Sequence, residues 1–318
     1  MYEPFFGLSA RPFELTADPR FFFETPQHRE AMATLRYGLE ARKGLIVLTG
    51  DAGTGKTTVL RAAMAEQDRR GARVGYVPNP KLSSREFFET LAREFDLGAA
   101  TRQSKAALLY ELRAALLEHL AADRVVALVV DEAQSLPHEL LEDIRLLANT
   151  ETDCTRLLQV VLSGQPEFAQ RLNEPELRQL KQRVALRSEL SPLTPQQTAA
   201  FIAGRIRIAG GEPRTVFTPD AVQAMHRFSR GIPRWINVIG DNALLTAFAH
   251  GVKPLDQHVV SEVARDFDLE VPVHEAQPVA LDSSSAAANS PFPAPDVLDA
   301  RELFQPVVKR RRLSFLFG

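Results

Sequence analysis

The stretch Gly44–Thr58 reads GLIVLTGDAGTGKTT, and it decides the fold. Gly44–Gly50 is a short, wholly apolar run, the pattern of a strand covered on both faces of a parallel sheet. The rest fits G-x-x-x-x-G-K-[ST], with Gly50, Gly55, Lys56 and Thr57 in the required places. Thr57–Gln67 continues as a helix, so strand, glycine loop and helix follow in the order that gives the pattern its meaning. Each residue type has a physical reason. Glycine lets the backbone wrap closely around phosphate groups. Successive N–H groups at a helix N-terminus form an anion nest, and the helix dipole adds to it. A lysine neutralises the β- and γ-phosphates, and a hydroxyl suits the hard cation Mg²⁺. Gly50, Asp51, Ala52, Gly53, Thr54, Gly55, Lys56, Thr57 and Thr58 are therefore the expected nucleotide-binding residues, with ATP and Mg²⁺ as the bound species.

A second segment completes the pattern. VVALVVDEAQ, residues 125–134, is an apolar strand that ends in two carboxylates. Acids at the end of a buried strand need partners. A helix N-cap is one explanation for such a pair. Downstream of a phosphate loop, the functional explanation is that Asp131, with Thr57, holds Mg²⁺ and Glu132 polarises an attacking water. A glutamate at that place argues for ATP hydrolysis rather than binding alone.

Outward from these segments, strand and helix signals alternate. Residues 72–77, 125–130, 157–163 and 184–190 read as further strands. Helices are expected over residues 26–43, where Ala31, Leu35 and Leu39 recur at helical spacing, and over 57–67, 84–95 and 105–122. The alternation predicts a three-layer α/β domain with a parallel sheet over residues 26–192. After Pro192 the strand signals stop. Four helices over 194–209, 219–229, 233–250 and 256–267 predict a small all-helical domain over 193–268. Residues 1–25 read as an arm rich in phenylalanine. Phe5, Phe6, Phe13 and the Phe21–Phe23 run are expected to pack against the α/β core and contribute to an adenine pocket, because so many aromatics would otherwise form a large exposed apolar patch. Residues 269–304, rich in Ala, Ser and Pro, read as a disordered linker, and 305–318 as a basic and apolar C-terminal tail.

Composition narrows the partners. The 318 residues carry a formal charge of −2, so the whole chain is no electrostatic magnet for nucleic acid, which is not expected as its principal partner. Arg205, Arg207 and Arg214 cluster but are interrupted by Glu212 and Asp220, the mark of a solvated face. Cys154 is the single cysteine, which excludes an intramolecular disulfide and suits a reducing, cytoplasmic setting. The N-terminus lacks the pattern of a signal peptide, and no apolar run reaches the length needed to span a bilayer. In the tail, Lys309–Arg312 precede LSFLF, a pairing that suits peripheral contact with an inner membrane.

The segments FFGLSARPF, DPRFFF, GDAGTGKTT, DEAQ, LSGQPEF, LKQRV and GIPRWIN follow one another over roughly residues 1–268. In that order they resemble AAA+ ATPases, specifically the ExeA/GspA type of bacterial secretion and pilus systems. The resemblance implies an AAA+ α/β domain, a helical lid, a homo-oligomer, and work on the proteins of a secretion, pilus or polysaccharide-export machinery. It implies that Ser163 or Gln165 senses the γ-phosphate, and that Arg234 is a second sensor on the lid. It places Arg183, with Arg178 as rival, where a trans-acting finger lies, and Asn79 where a polar residue can hold the glutamate inactive. Longer family members continue into a membrane span and often a peptidoglycan-binding domain. Here the sequence ends FLFG, and cell-wall binding is not expected. The competing reading is a DNA-acting AAA+ ATPase of the transposition target-selection type, whose core motifs look alike.

Overall fold

The structure is a computed structural model, and it describes residues 1–14, 21, 23–78, 81–98 and 104–269. In chain order the elements are α1 (Glu3–Phe6), α2 (Pro26–Glu40), β1 (Leu45–Gly50), α3 (Lys56–Arg69), β2 (Arg73–Val77), α4 (Ser84–Glu94), α5 (Lys105–Ala121), β3 (Val126–Val130), α6 (His138–Ala148), β4 (Gln159–Gly164), α7 (Pro166–Arg171), α8 (Arg178–Arg183), β5 (Val184–Leu190), α9 (Pro195–Ile208), α10 (Pro213–Val216), α11 (Pro219–Ser229), α12 (Pro233–His250) and α13 (Gln257–Asp266). They fall into two compact units, one of residues 24–192 and one that joins residues 1–23 to the chain from Leu193 onward. The expected linker and C-terminal tail lie outside the described residues.

The first unit is a three-layer sandwich. Its five strands are parallel, in the order β2-β3-β4-β1-β5. Successive side chains of a strand point to opposite faces. Leu45 and Val47 of β1 therefore join Leu128, Val130, Val160 and Leu162 beneath α4, α5 and α6. Ile46 and Leu48 join Ala127, Val129 and Val161 beneath α2 and α3. The step from β1 to β2 runs along one direction with α3 on one face. The steps from β2 to β3 and β4 return with α4–α6 on the other, as right-handed crossovers require. Phosphate loop and strand-end acids thus share the C-terminal edge of the sheet.

The sequence reading placed no helix between β3 and β5, and the structure has three there. In α6 the buried residues Leu140, Leu141, Ile144, Leu147 and Ala148 have helical spacing, so this element was legible. Helices α7 and α8 have 6 residues each, too few to display a period.

The second unit is helical. Thr194, Thr218 and Asp256 cap the N-termini of α9, α11 and α13 with their side chains, which explains why the chain enters helices at these points. The N-terminal arm corrects the sequence reading. Tyr2, Phe6, Leu8, Phe13 and Phe21 are buried in one cluster with Phe201, Ile206, Phe217, Ile239 and Leu244 of the helical unit, not in the α/β core. Phe13 meets Phe217 edge-on at 5.9 Å, and the arm is sewn on by Ser9, whose N–H and hydroxyl both donate to the Ala209 carbonyl. The short α9, α11 and α12 bundle has an open apolar side, and the arm supplies the missing aromatic volume. Phe22 lies outside the described residues.

One contact ties α2 to the phosphate loop. The Thr25 N–H donates to His28 Nδ1 at 3.3 Å, and the Thr25 hydroxyl meets the same nitrogen at 2.7 Å. Nδ1 is therefore an acceptor, which leaves the proton on Nε2, and Nε2 donates to the Thr54 carbonyl at 3.1 Å. A Cβ on Gly55, whose φ is +104°, would stand 2.8 Å from His28 Nε2, so only glycine fits there.

Two outcomes are expected. Phe13→Ala should destabilise the helical unit by about 3–5 kcal/mol, the range for truncating a fully buried phenylalanine, as measured by chemical denaturation. His28 gives a pH signature. Burial lowers its pKa below the ordinary 6.5, against the opposing pull of the Thr54 carbonyl and the Glu24 carboxylate. The unfolded chain then holds more protons at this site, so stability falls as pH drops through the unfolded histidine value and towards the lower folded one. The wild type should lose more stability than His28→Gln between about pH 7.5 and about pH 5.5. Parallel urea-denaturation midpoints would show that His28 carries no such linkage.

Candidate functional site

At the C-terminal edge of the sheet, two chain segments from non-adjacent strands are joined. The Thr57 hydroxyl, in the first turn of α3, donates to Asp131 Oδ2 at 2.7 Å. Asp131 follows β3, and its backbone N–H continues the sheet by donating to the Val77 carbonyl at 3.0 Å. Its other oxygen accepts from the Glu132 N–H at 3.0 Å, and the Tyr76 hydroxyl stands 3.5 Å from Oδ2. Asp131 is 3 % exposed, and these donors answer the desolvation that a buried carboxylate incurs. Burial raises the Tyr76 pKa, with the Asp131 charge acting in the same direction.

Lys56 is buried and donates to the Gly50 and Asp51 carbonyls at 2.8 and 3.0 Å. Burial pushes its ammonium down from the ordinary lysine value, while the carboxylates of Glu132, Asp131 and Asp51 act to raise it. The loop is held from within: Thr54 is buried, and its hydroxyl donates to the Asp51 carbonyl at 2.9 Å. The whole segment Gly50–Thr58 lies between the end of β1 and the first turn of α3.

Glu132 sits in the left-handed backbone region with φ of +55°, a conformation that is uncommon for a residue with a side chain. Its carboxylate Oε2 accepts from Gln134 Nε2 at 2.5 Å, and Gln165 Nε2 stands 3.5 Å away. Ser163 is fully buried near the end of β4, and its hydroxyl has no hydrogen-bond partner among the described residues. Val130 of β3 pairs with Leu162 of β4, so the register carries Asp131 alongside Ser163 one step further on. On the other side Ser163 pairs with Leu48 of β1.

The structure thus brings together Lys56, Thr57, Asp131, Glu132, Ser163 and Gln165. Arg178 and Arg183 are exposed, at the first and last positions of α8. Arg234 is exposed in the first turn of α12, in the helical unit. Asn79 lies outside the described residues. The sequence reading missed three contributors. His28 was hidden because it braces the loop from another element. Tyr76 reads as an ordinary strand residue. Gln134 belongs to the quoted DEAQ, but only its acids were weighed.

The hard oxygens of Thr57 and Asp131 form a pair that fits Mg²⁺, which takes one or two carboxylates and completes its shell with water and phosphate oxygens. No helix among the described residues is long and apolar enough to cross a membrane.

Comparisons agree with this geometry. A family profile described as an AAA domain matches residues 39–172. General secretion pathway protein A of Aeromonas hydrophila is 45% identical over 252 residues, covering 79% of this chain and 46% of that protein. The chain therefore spans under half the length of that relative. Among solved structures, Drosophila ORC bound to DNA superposes with a TM-score of 0.61 at 20% identity, covering 81% of this chain and 65% of that one. Cdc6p of Pyrobaculum aerophilum gives 0.60 at 20%, covering 80% and 70%. At such identity these two show a shared fold alone. The phosphate loop, the acid-ended β3, the β2-β3-β4-β1-β5 sheet and the secretion-pathway relative lead to one assignment: the chain carries an AAA domain over residues 39–172 and is similar to general secretion pathway protein A.

Proposed function

We propose that this chain binds Mg-ATP and hydrolyses it to ADP and phosphate, and that it uses the cycle to drive assembly or remodelling in a bacterial secretion, pilus or polysaccharide-export system. The observation that carries the chemistry is the 2.7 Å bond between Thr57 and Asp131, which sets the phosphate loop beside Glu132. The 45% identity with a secretion-pathway protein supports the pathway, and favours it over the DNA-acting alternative.

The residues divide the work. Backbone N–H groups of the loop and the Lys56 ammonium bind the phosphates and offset their charge. Thr57 and Asp131 would hold Mg²⁺, which when bound supplies charge neutralisation between the β- and γ-phosphate oxygens. Glu132 orients the attacking water and accepts its proton. Ser163 or Gln165 senses the γ-phosphate from the β4 tip. Arg234 acts as the lid's sensor, and Asn79 as a polar switch on Glu132. Arg183, or Arg178 in its place, completes the site of a neighbouring subunit in a homo-oligomer. The tail Lys309–Phe317 attaches the assembly peripherally to the inner membrane, or to a partner protein there, through charge and aromatic groups.

Two measurements test this reading. Glu132→Gln should retain ATP binding and lose steady-state hydrolysis by about 10²–10⁴-fold, the usual contribution of a positioned base. Lys56→Ala should instead lose binding. Hydrolysis by Glu132→Gln at the wild-type rate would remove Glu132 from the mechanism. For the oligomer, inactive Arg183→Ala and inactive Glu132→Gln subunits should regain activity when mixed, because some interfaces then contain an intact site. A monomer by light scattering, with specific activity independent of protein concentration, would refute the trans-acting arginine.

A further inference from the structure

The side chain nearest the carboxylate of Glu132 is that of Gln134, and it has a second attachment. Gln134 lies in the single turn of 3₁₀ helix Ala133–Ser135 that follows Glu132. Its Nε2 donates to Glu132 Oε2 at 2.5 Å, and its Oε1 accepts from the Gln165 backbone N–H at 3.1 Å. The amide orientation follows from chemistry. A backbone N–H can only donate and an ionised carboxylate can only accept, so oxygen must face Gln165 and nitrogen must face Glu132. The turn that carries Gln134 is itself fixed, because Arg171 Nη1 donates to the carbonyls of Gln134 and Leu136 at 2.8 and 2.9 Å. Space is reserved for the amide as well. A Cβ on Gly164 would come within 3.2 Å of Gln134 Oε1 and 2.8 Å of Phe168 Cβ.

We propose that Gln134 is a positioning residue that fixes the Glu132 carboxylate to the backbone at the tip of β4, so that the strand end carrying Ser163 and Gln165 also sets the aim of the base. The left-handed backbone of Glu132 gives this role a physical motive. A residue with a side chain at a φ of +55° adopts a sparsely populated backbone conformation that persists where its surroundings hold it, and the contacts of Gln134 with Glu132 and with the Gln165 N–H are part of that hold. Gln134 makes them with a planar, two-ended group. Any displacement of the Gln165 N–H is passed to the Glu132 carboxylate through one rigid amide. Gln165 Nε2, 3.5 Å from the same carboxylate oxygen, lies where it can tighten onto Glu132 when the β4 tip moves. The inference rests on the reading of Glu132 as the base.

Two substitutions of different chemistry test it. Gln134→Leu keeps the approximate shape and loses both bonds. Gln134→Glu keeps an acceptor for the Gln165 N–H but replaces the donor to Glu132 with a like charge. Both should lower kcat on the order of 10- to 100-fold, as expected for a misaligned reacting group, while KM and equilibrium Mg-ATP affinity stay within about twofold. In a Glu132→Gln background, Gln134→Leu should cost nothing further, because it acts only through Glu132. Wild-type kcat in Gln134→Glu would overturn the proposal, since a merely structural prop for β4 survives that change. Loss of ATP binding in both variants would overturn it too, by making Gln134 part of the fold, as would a further loss of rate in the Glu132→Gln background. If Glu132→Gln alone hydrolyses ATP normally, the failure lies in the assignment of the base, and is seen before Gln134 is tested.

Discussion

The hydrogen bond from Thr57 to Asp131 spans strands that are not neighbours. The sheet order sets β4 between β3 and β1, so these residues meet over the tip of β4. This fixes three things together. The loop after β1 is held against the end of β3. A carboxylate at the end of a wholly buried strand obtains a partner. Ser163, on β4 between the two motifs, is left with a hydroxyl that has no hydrogen-bond partner among the described residues. A further strand inserted between β3 and β1 would move the two segments apart by about another 4.8 Å, too far for a direct bond.

Around that bond the site is supported mainly by elements that never touch substrate. His28 presses on the loop from the start of α2, and Arg171 pins the turn that carries Gln134 from the end of α7. Both donate to backbone carbonyls rather than to catalytic side chains. Such contacts set the path of the main chain, and the path in turn aims Glu132 and the loop N–H groups. Preorganisation of this kind costs nothing at the moment of reaction, because the groups are ordered during folding.

The helical unit shows a different economy. Its helices are capped by Thr194, Thr218 and Asp256, which fixes where they start. Their packing is finished by residues almost two hundred positions away in sequence, in the arm. The Arg205 guanidinium donates to the Pro12 carbonyl at 2.7 Å and lies over the Phe21 and Phe201 rings, so polar and aromatic contacts both bind the arm to this unit. Residues 1–23 and the chain from Leu193 therefore form one body, and the α/β unit is an insertion between them in sequence.

The sequence by itself determined the strands of the α/β unit and its helices as far as β3, but not the three helices between β3 and β5. Apolar runs gave β1, β3 and β4, because a strand covered on both faces has few polar positions to interrupt it, whereas the edge strands β2 and β5 carry polar residues and gave a weaker signal. The sequence pattern also singled out Lys56, Thr57, Asp131 and Glu132, and the structure brings these four together at one end of the sheet. Tertiary structure alone decided the rest. The arm's aromatics had to be buried, but hydrophobicity carries no address, and the helical core rather than the α/β core had the room. His28 and Gln134 act by direction, through which atom of an imidazole or amide faces which backbone group. That is set by the meeting of α2 with the loop and of β4 with the turn after β3, contacts between segments far apart in the chain that no local pattern records.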